Sequence, residues 1–319
     1  MVLITGATGF VGSALGRRLV HDGLHEVVGA VRASGVRLSG GVRAVAVGDI
    51  SADTDWTRAL EHVDLVVHAA ARVHVSRDVA TDPVAEYRRT NVQGTLNLGL
   101  QAARAGVRRL VFVSTIKVNG EQTSGQHAYA ADEGPSPQDP YAWSKKEAED
   151  ELRKIARETG MEVVIVRPPL VYGPGVKANF LSLIRWVHRG VPLPLGAVHN
   201  LRSFVALDNL VDLLVLCLEH PRAADQTFLV SDGQDLSTTE LLTRLGQALG
   251  KPARLLPVPE RLLMLAGTML GKEGAVQRLC GSLRVDIRKT RQLLDWSPPV
   301  TVDEGLRKTA ERFLSEVHA

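Results

Sequence analysis

Met1-Val-Leu-Ile-Thr-Gly-Ala-Thr-Gly-Phe-Val-Gly12 decides the fold. Val2, Leu3 and Ile4 form an apolar run suited to a buried parallel strand. Thr5-Gly6 ends it, and Ser13 to Val20 then shows apolar residues at helical spacing. Gly6, Gly9 and Gly12 lie between, spaced Gly-x-x-Gly-x-x-Gly. Glycines in such a turn let backbone N–H groups approach a pyrophosphate at the partly positive helix N-terminus. Gly12 further lets the helix pack close to the strand. Strand, glycine turn and helix together predict the first unit of a dinucleotide-binding fold.

Outward from this stretch, strands and helices alternate. Glu26–Val31, Val42–Val47, Val63–Val67, Leu110–Val113 and Val163–Val166 read as five further buried strands. A short helix is expected around Trp56 to Leu60. A long one is expected from an Asp82 cap and Pro83 to a Gly106 stop. The alternation predicts an α/β protein of Rossmann type, with a doubly wound parallel sheet. Residues 1–170 would form the dinucleotide-binding domain. Residues 171–319 would form a smaller α/β substrate-binding region, with some segments returning to the sheet.

Composition excludes several function classes. The 319 residues are 45% hydrophobic and 23% charged, with a net charge of +3. That charge is small and scattered, so nucleic acid is not an expected partner. Cys217 and Cys280 are the two cysteines and form no metal-ligand pattern, so no metal site is expected. The first strand begins at residue 2, so no signal peptide is expected, and the protein is placed in the cytoplasm. Leu262–Leu270 is too short to span a bilayer, and reads as a buried helix, with an amphipathic surface helix as the alternative. Ser237-Thr-Thr-Glu240 reads as a capping box, and Asp208 as a helix cap.

Ligands on doubly wound sheets bind at the carboxyl ends of the strands. Gly6 to Gly12, Arg32, Asp49, His68 to Ala71, Thr115 and Pro168-Pro169 fall there. Arg32 stands where NAD-specific sites carry an acid, which leans the cofactor toward NADP(H) without excluding NAD(H). Asp139-Pro-Tyr-Ala-Trp-Ser-Lys145 carries the chemistry. Tyr141 and Lys145 are one helical turn apart and share a face. A free tyrosine titrates near 10, too high for acid–base work near neutrality. A neighbouring ammonium and a positive nicotinamide ring would lower it. Thr115 could hydrogen-bond the substrate oxygen whose proton Tyr141 moves.

These motifs, with Gly48-Asp-Ile50, Thr90-Asn-Val-Gln-Gly94, Val113-Ser-Thr115 and Arg167-Pro-Pro-Leu-Val-Tyr-Gly-Pro-Gly175, resemble the extended short-chain dehydrogenase/reductase family. That group includes nucleotide-sugar epimerases, dehydratases and reductases, and the resemblance covers nearly the whole chain. It implies a catalytic set of Thr115, Tyr141 and Lys145. It implies cofactor contacts at Gly6, Thr8, Gly9, Phe10, Val11, Gly12, Arg32, Asp49, Ile50, His68, Ala69, Ala70 and Ala71. Further contacts are implied at Asn91, Val113, Pro168 and Leu170, with Tyr141 and Lys145 reaching the nicotinamide ribose. A UDP-sugar diphosphate would be held by Asn179 and Arg202, with Arg284 a weaker candidate. A homodimer is implied through the helices beginning near Pro83 and Tyr141, where Leu96, Leu98, Leu100 and Leu152 either meet the partner or pack on the sheet.

Within that family, a 4,6-dehydratase commonly has Asp-Glu where this chain has Ile116-Lys117, and is disfavoured. Epimerases commonly show Val-Tyr-Gly where this chain has Val118-Asn-Gly120. That departure, with Arg32, favours an NAD(P)H-dependent reductase of a UDP-4-keto-6-deoxy-hexosamine in polysaccharide sugar-nucleotide biosynthesis. The alternative is a UDP-hexose 4-epimerase with tightly bound NAD. A non-catalytic dinucleotide sensor is the third class, and retention of both Tyr141 and Lys145 speaks against it.

Overall fold

The computed structural model describes residues 1–73 and 82–318. Nine strands are present among them: β1 (Val2–Thr5), β2 (Val27–Val31), β3 (Arg43–Ala46), β4 (Leu65–His68), β5 (Arg109–Val113), β6 (Glu162–Arg167), β7 (Leu170–Tyr172), β8 (Phe204–Ala206) and β9 (Thr227–Leu229). The helices are α1 (Phe10–Asp22), α2 (Pro83–Tyr87), α3 (Gly94–Arg104), α4 (Pro140–Thr159), α5 (Ala178–His188), α6 (Leu207–Glu219), α7 (Thr238–Ala248), α8 (Glu260–Met269), α9 (Glu273–Cys280), α10 (Arg288–Leu294) and α11 (Val302–His318).

Seven strands form one sheet in the order β3-β2-β1-β4-β5-β6-β9, every pair parallel. The order reverses between β1 and β4, which opens a crevice at their carboxyl ends. Val2, Leu3, Ile4, Val66 and Val67 are wholly buried, as strands covered on both faces must be. One core lies under α1 and α6, another under α3 and α4. A third joins α5, α7, α11 and the small parallel β7–β8 pair. Phe10 packs against the first and third of these cores.

The structure corrects several local expectations. Residues 56–60 form turns, not a helix. Asn97 and Gln101 of α3 donate to the Thr54 carbonyl, and Gln101 Oε1 accepts from the Trp56 amide, so α3 fixes this loop. The long helix from Pro83 is interrupted by a π-helical segment, Arg88–Gln93. Asp82 does cap its start by accepting from the Ala85 amide. Leu98 and Leu152 are fully buried in the core under α3 and α4, and Leu96 and Leu100 are partly buried against it. Asp208 sits inside the first turn of α6 and pairs with Lys308, while Ala206 holds the cap position. The segment 262–270 lies on the surface rather than in the core. Ser237 and Glu240 form the capping box in full.

Candidate active site

The glycine turn is built for close approach. Gly6 has φ +67°, and a Cβ there would meet the Ala70 amide nitrogen at 2.9 Å. A Cβ on Gly12 would stand 2.3 Å from the Gly6 carbonyl oxygen. No side chain therefore fits between strand, turn and helix. The first-turn amides of α1 have no acceptor within the helix and face the turn. Beyond them lies a cleft of about 730 Å³, lined by Gly6, Thr8, Gly9, Arg32, Asp49, Ile50 and Ala69–Ala71. Its glycine cradle and helix start fit a dinucleotide pyrophosphate.

Not every expected cofactor residue points into this cleft. Phe10 and Val11 turn their side chains into the core. His68 is buried, with its ring hydrogen-bonded to Thr5 (2.6 Å) and Thr95 (2.8 Å). Burial, reinforced by Lys145, lowers its pKa to about 3, so it is a neutral internal brace. Val113 packs on the core, Pro168 accepts from the Ile116 amide at 2.9 Å, and Leu170 opens β7. Asn91 works indirectly. Its side chain clasps the Arg72 backbone, accepting at 2.7 Å and donating at 3.0 Å, and also donates to Ser144. The π-helical turn thus holds the cleft wall against α4. Gly94 completes that motif, because a Cβ there would stand 2.5 Å from Ile50.

Arg32 and Asp49 form an ion pair at 3.3 Å, both highly exposed. Arg32 therefore already faces a carboxylate at the mouth of the cleft. Exposed pairs of this kind are worth little and yield to a ligand.

Tyr141 and Lys145 lie on the first turns of α4. Asp139 caps that helix by accepting from the Ala142 amide at 2.6 Å, and Pro140 takes the first position. Lys117 donates to Asp139 at 2.6 Å and to Glu121 at 2.8 Å. The Lys117 amide also donates to Thr115 Oγ1 at 3.3 Å, so one residue ties the Thr115 turn to the Tyr141 helix. Lys145 is buried, its Nζ 3.8 Å from the centre of the Phe112 ring, and Phe112 stacks on His68. This column runs from α4 through β5 and β4 to Thr5, at the base of the glycine turn. Burial lowers the Lys145 pKa to about 7, against a smaller opposing pull from Glu149. Tyr141 leans on Tyr87, with ring centres 6.1 Å apart. Burial raises its phenol above the ordinary value, and Asp139 and Tyr87 add to the rise.

Sequence reading missed the network behind α4. Glu149, one turn beyond Lys145, is buried and accepts from Ser114 Oγ (2.6 Å) and Arg167 Nε (2.9 Å). Burial works to raise its pKa, but Arg167, Ser114 and Arg153 outweigh it and hold the carboxyl below its usual range. Arg167 also donates to Asn119 Oδ1 at 2.9 Å, and Asn119 donates to the Ala130 carbonyl at 3.1 Å. The i+4 spacing of Lys145 and Glu149 was the available signal.

The substrate-side candidates are less assembled. Asn179 is exposed on the first turn of α5. Arg202 precedes β8, bridges to Leu283, and donates to the Gly281 carbonyl at 2.8 Å. Burial and the nearby Arg278 lower its pKa, against Glu121, the environment of a cation short of counter-charge. Arg284 lies in the bridged segment but pairs with Asp235 at 2.8 Å.

The chain matches the family model "NAD dependent epimerase/dehydratase family" over residues 2–231. It is 48% identical to a Vibrio cholerae UDP-glucose 4-epimerase, covering 98% of this chain and 95% of that protein. It is 27% identical to an Escherichia coli O157:H7 N-acetyl-alpha-D-glucosaminyl-diphospho-ditrans,octacis-undecaprenol 4-epimerase, covering 97% of this chain and 94% of that protein. Among solved structures it resembles MoeE5 in complex with UDP-glucuronic acid and NAD, at 27% identity, TM-score 0.78 and 99% coverage of both chains.

Proposed function

The chain belongs to the NAD dependent epimerase/dehydratase family, and from that premise we propose that it is a 4-epimerase of a hexosyl diphosphate, with UDP-hexose as substrate. The observation that carries this over a reductase is the position of Asn119. The departure from Val-Tyr-Gly at that residue favoured the reductase, yet Asn119 is buried and spends its amide on Arg167 and Ala130. It is a support for the fold rather than a mark of a different reaction. Arg32, the other argument for a reductase, is already paired with Asp49. The Vibrio relative supports the same choice.

In this reading Tyr141 takes the proton of the C4 hydroxyl and later returns it. Thr115 holds the same oxygen through its hydroxyl. Lys145 stabilises the tyrosinate and holds the ribose side of the cleft. Arg202 takes the diphosphate, which supplies the anion its buried surroundings lack, with Asn179 on the same group. The chemistry that a bound nicotinamide supplies is removal of the C4 hydride and its return to the opposite face. A homodimer belongs to the proposal, and Val84 and Trp143 are exposed apolar residues of α2 and α4 for its contact.

The test is incubation of the purified protein with UDP-glucose, and separately UDP-N-acetylglucosamine, without added cofactor. Interconversion with the galacto form is expected. Stoichiometric loss of NAD(P)H with a UDP-4-keto-6-deoxy-hexosamine, and no interconversion, would restore the reductase. A second reading keeps the chemistry and exchanges uridine for a polyprenyl carrier, as in the Escherichia coli relative. The exposed apolar face of α8, in a hairpin whose far end meets Arg202 at Gly281, favours it.

A further inference from the structure

We propose that the α8–α9 hairpin is an interfacial docking element that seats on an anionic phospholipid bilayer and opens the Arg202 side of the site to a membrane-borne glycosyl diphosphate. This rests on the epimerase reading above for its chemistry, but not for its surface.

The hairpin is apolar where a soluble surface should be polar. Leu262, Leu265, Met269 and Leu270 are exposed by 55%, 57%, 80% and 70%. Leu262, Leu265 and Met269 stand at i, i+3 and i+7, so they share one face of α8. The opposite face is spent inside the protein. Leu263 packs on the core formed by α5, α7 and α11, and Gly267 is buried against α9. A Cβ on Gly267 would stand 2.7 Å from Val276, so the two helices are tightly joined and the outer face is held outward. Exposure is greatest at the tip, at Met269 and Leu270. A projecting apolar tip suits insertion into a plane, whereas a groove would suit a peptide.

Charge and continuity identify the occupant. Arg261 at the base of α8, Lys272 at the turn and Arg278 on α9 provide three cations, against Glu260 and Glu273. Glu260 accepts from the His199 amide at 3.3 Å, so it is turned toward the body of the protein. Basic residues beside an apolar face match the phosphate and acyl layers of an anionic membrane. The far end of the hairpin is tied to the diphosphate candidate. Asn200 donates to the carbonyls of Leu279 and Gly281, and Arg202 donates to Gly281. Leu201, beside Arg202, is also exposed. A diphosphate held by Arg202 therefore sits at the base of the hairpin with the exposed Leu201 beside it, from where a polyprenyl tail would run toward the bilayer. No helix among the described residues is long and apolar enough to cross a membrane, so the contact is peripheral.

The test compares the full-length protein with the double variant Leu265→Glu/Met269→Glu. Vesicles of phosphatidylethanolamine and phosphatidylglycerol are sedimented with each protein. Wild type is expected to co-sediment and the variant to partition at least tenfold less, with equal turnover of UDP-N-acetylhexosamine in solution. With polyprenyl-diphospho-N-acetylhexosamine in the same vesicles, the variant should turn over at least tenfold more slowly. Wild type remaining in the supernatant, or equal turnover of the lipid-linked sugar by both proteins, overturns the proposal. So does light scattering in which the variant loses a dimer that wild type retains, since the face would then be covered by a second copy. Vesicle binding that the variant lacks, without turnover of either sugar, supports the docking surface and instead refutes the epimerase reading.

Discussion

The α4 seam and the Arg202 region differ in how completely the protein has satisfied its own charges. Behind Tyr141 and Lys145, Glu149 is met by Ser114, Arg153 and Arg167, and Arg167 by Asn119. Around Arg202 the neighbouring charges are Arg278 and an opposing Glu121 that is itself paired with Lys117, and among the described residues its guanidinium donates to one acceptor, the Gly281 carbonyl. The first arrangement is finished without a ligand and serves to place groups. The second is left short of negative charge, as a site awaiting an anionic substrate would be. Rigidity belongs to the reacting groups and unsatisfied charge to recognition.

That contrast can be broken experimentally. Tyr141→Phe should lower kcat by roughly 10³-fold while weakening cofactor affinity by no more than a few-fold, read by steady-state turnover and by dinucleotide titration. Parallel loss of cofactor binding would show that the seam does not separate placement from binding. Arg167→Met leaves Glu149 buried without its main partner and should cost about 3–5 kcal/mol in urea unfolding. Arg284→Met, at a partly exposed pair, should cost no more than about 1 kcal/mol. Equal costs would erase the distinction drawn here.

Arg202→Ala should raise KM for the sugar nucleotide by about tenfold to a hundredfold at nearly constant kcat, since it removes charge-assisted binding shared by ground and transition states. A fall in kcat alone would move Arg202 from recognition to chemistry. A pH series sharpens the other side. Burial lowers the Lys145 pKa to about 7, so the folded state disfavours its charge. Between that value and the unfolded lysine near 10.4, the unfolded chain binds more protons, and stability rises with pH. Unfolding midpoints of cofactor-free wild type should therefore gain on those of Lys145→Met from pH 6.5 to pH 10, by about 1–3 kcal/mol. A constant gap would place the ammonium in a polar setting. The smallest effect is expected at Arg32→Ala, a few-fold shift in the NADP-to-NAD binding ratio, because the exposed Asp49 pair is weak.

The sheet was legible because its buried strands are continuous apolar runs, and the glycine turn because its spacing follows from backbone contact. Tyr141 and Lys145 were legible because one helical turn separates them. What stayed hidden depends on distant partners. The turns at 56–60 are fixed by Asn97 and Gln101, and the π-helical segment by Asn91 reaching Arg72 and Ser144. His68 reads as a cleft residue from its place at a strand end, yet the strand's alternation turns it inward to Thr95. Asn119 reads as a functional departure, and only Arg167 and Ala130 reveal it as a brace. Leu262–Leu270 reads as a buried helix or, less commonly, a surface one. Only the packing of Gly267 on α9 shows which side faces out.

β9 has a consequence for how genes of this kind can be recombined. After some sixty residues devoted largely to α5, β7, β8 and α6, the chain returns to lay Thr227–Leu229 along β6 as the last strand of the main sheet. A single splice after residue 170 would discard that strand and bare the β6 edge, inviting aggregation. Exchanging the recognition half of this protein for another would therefore take three junctions, one after residue 170 and one on either side of β9, leaving the strand with the sheet it closes.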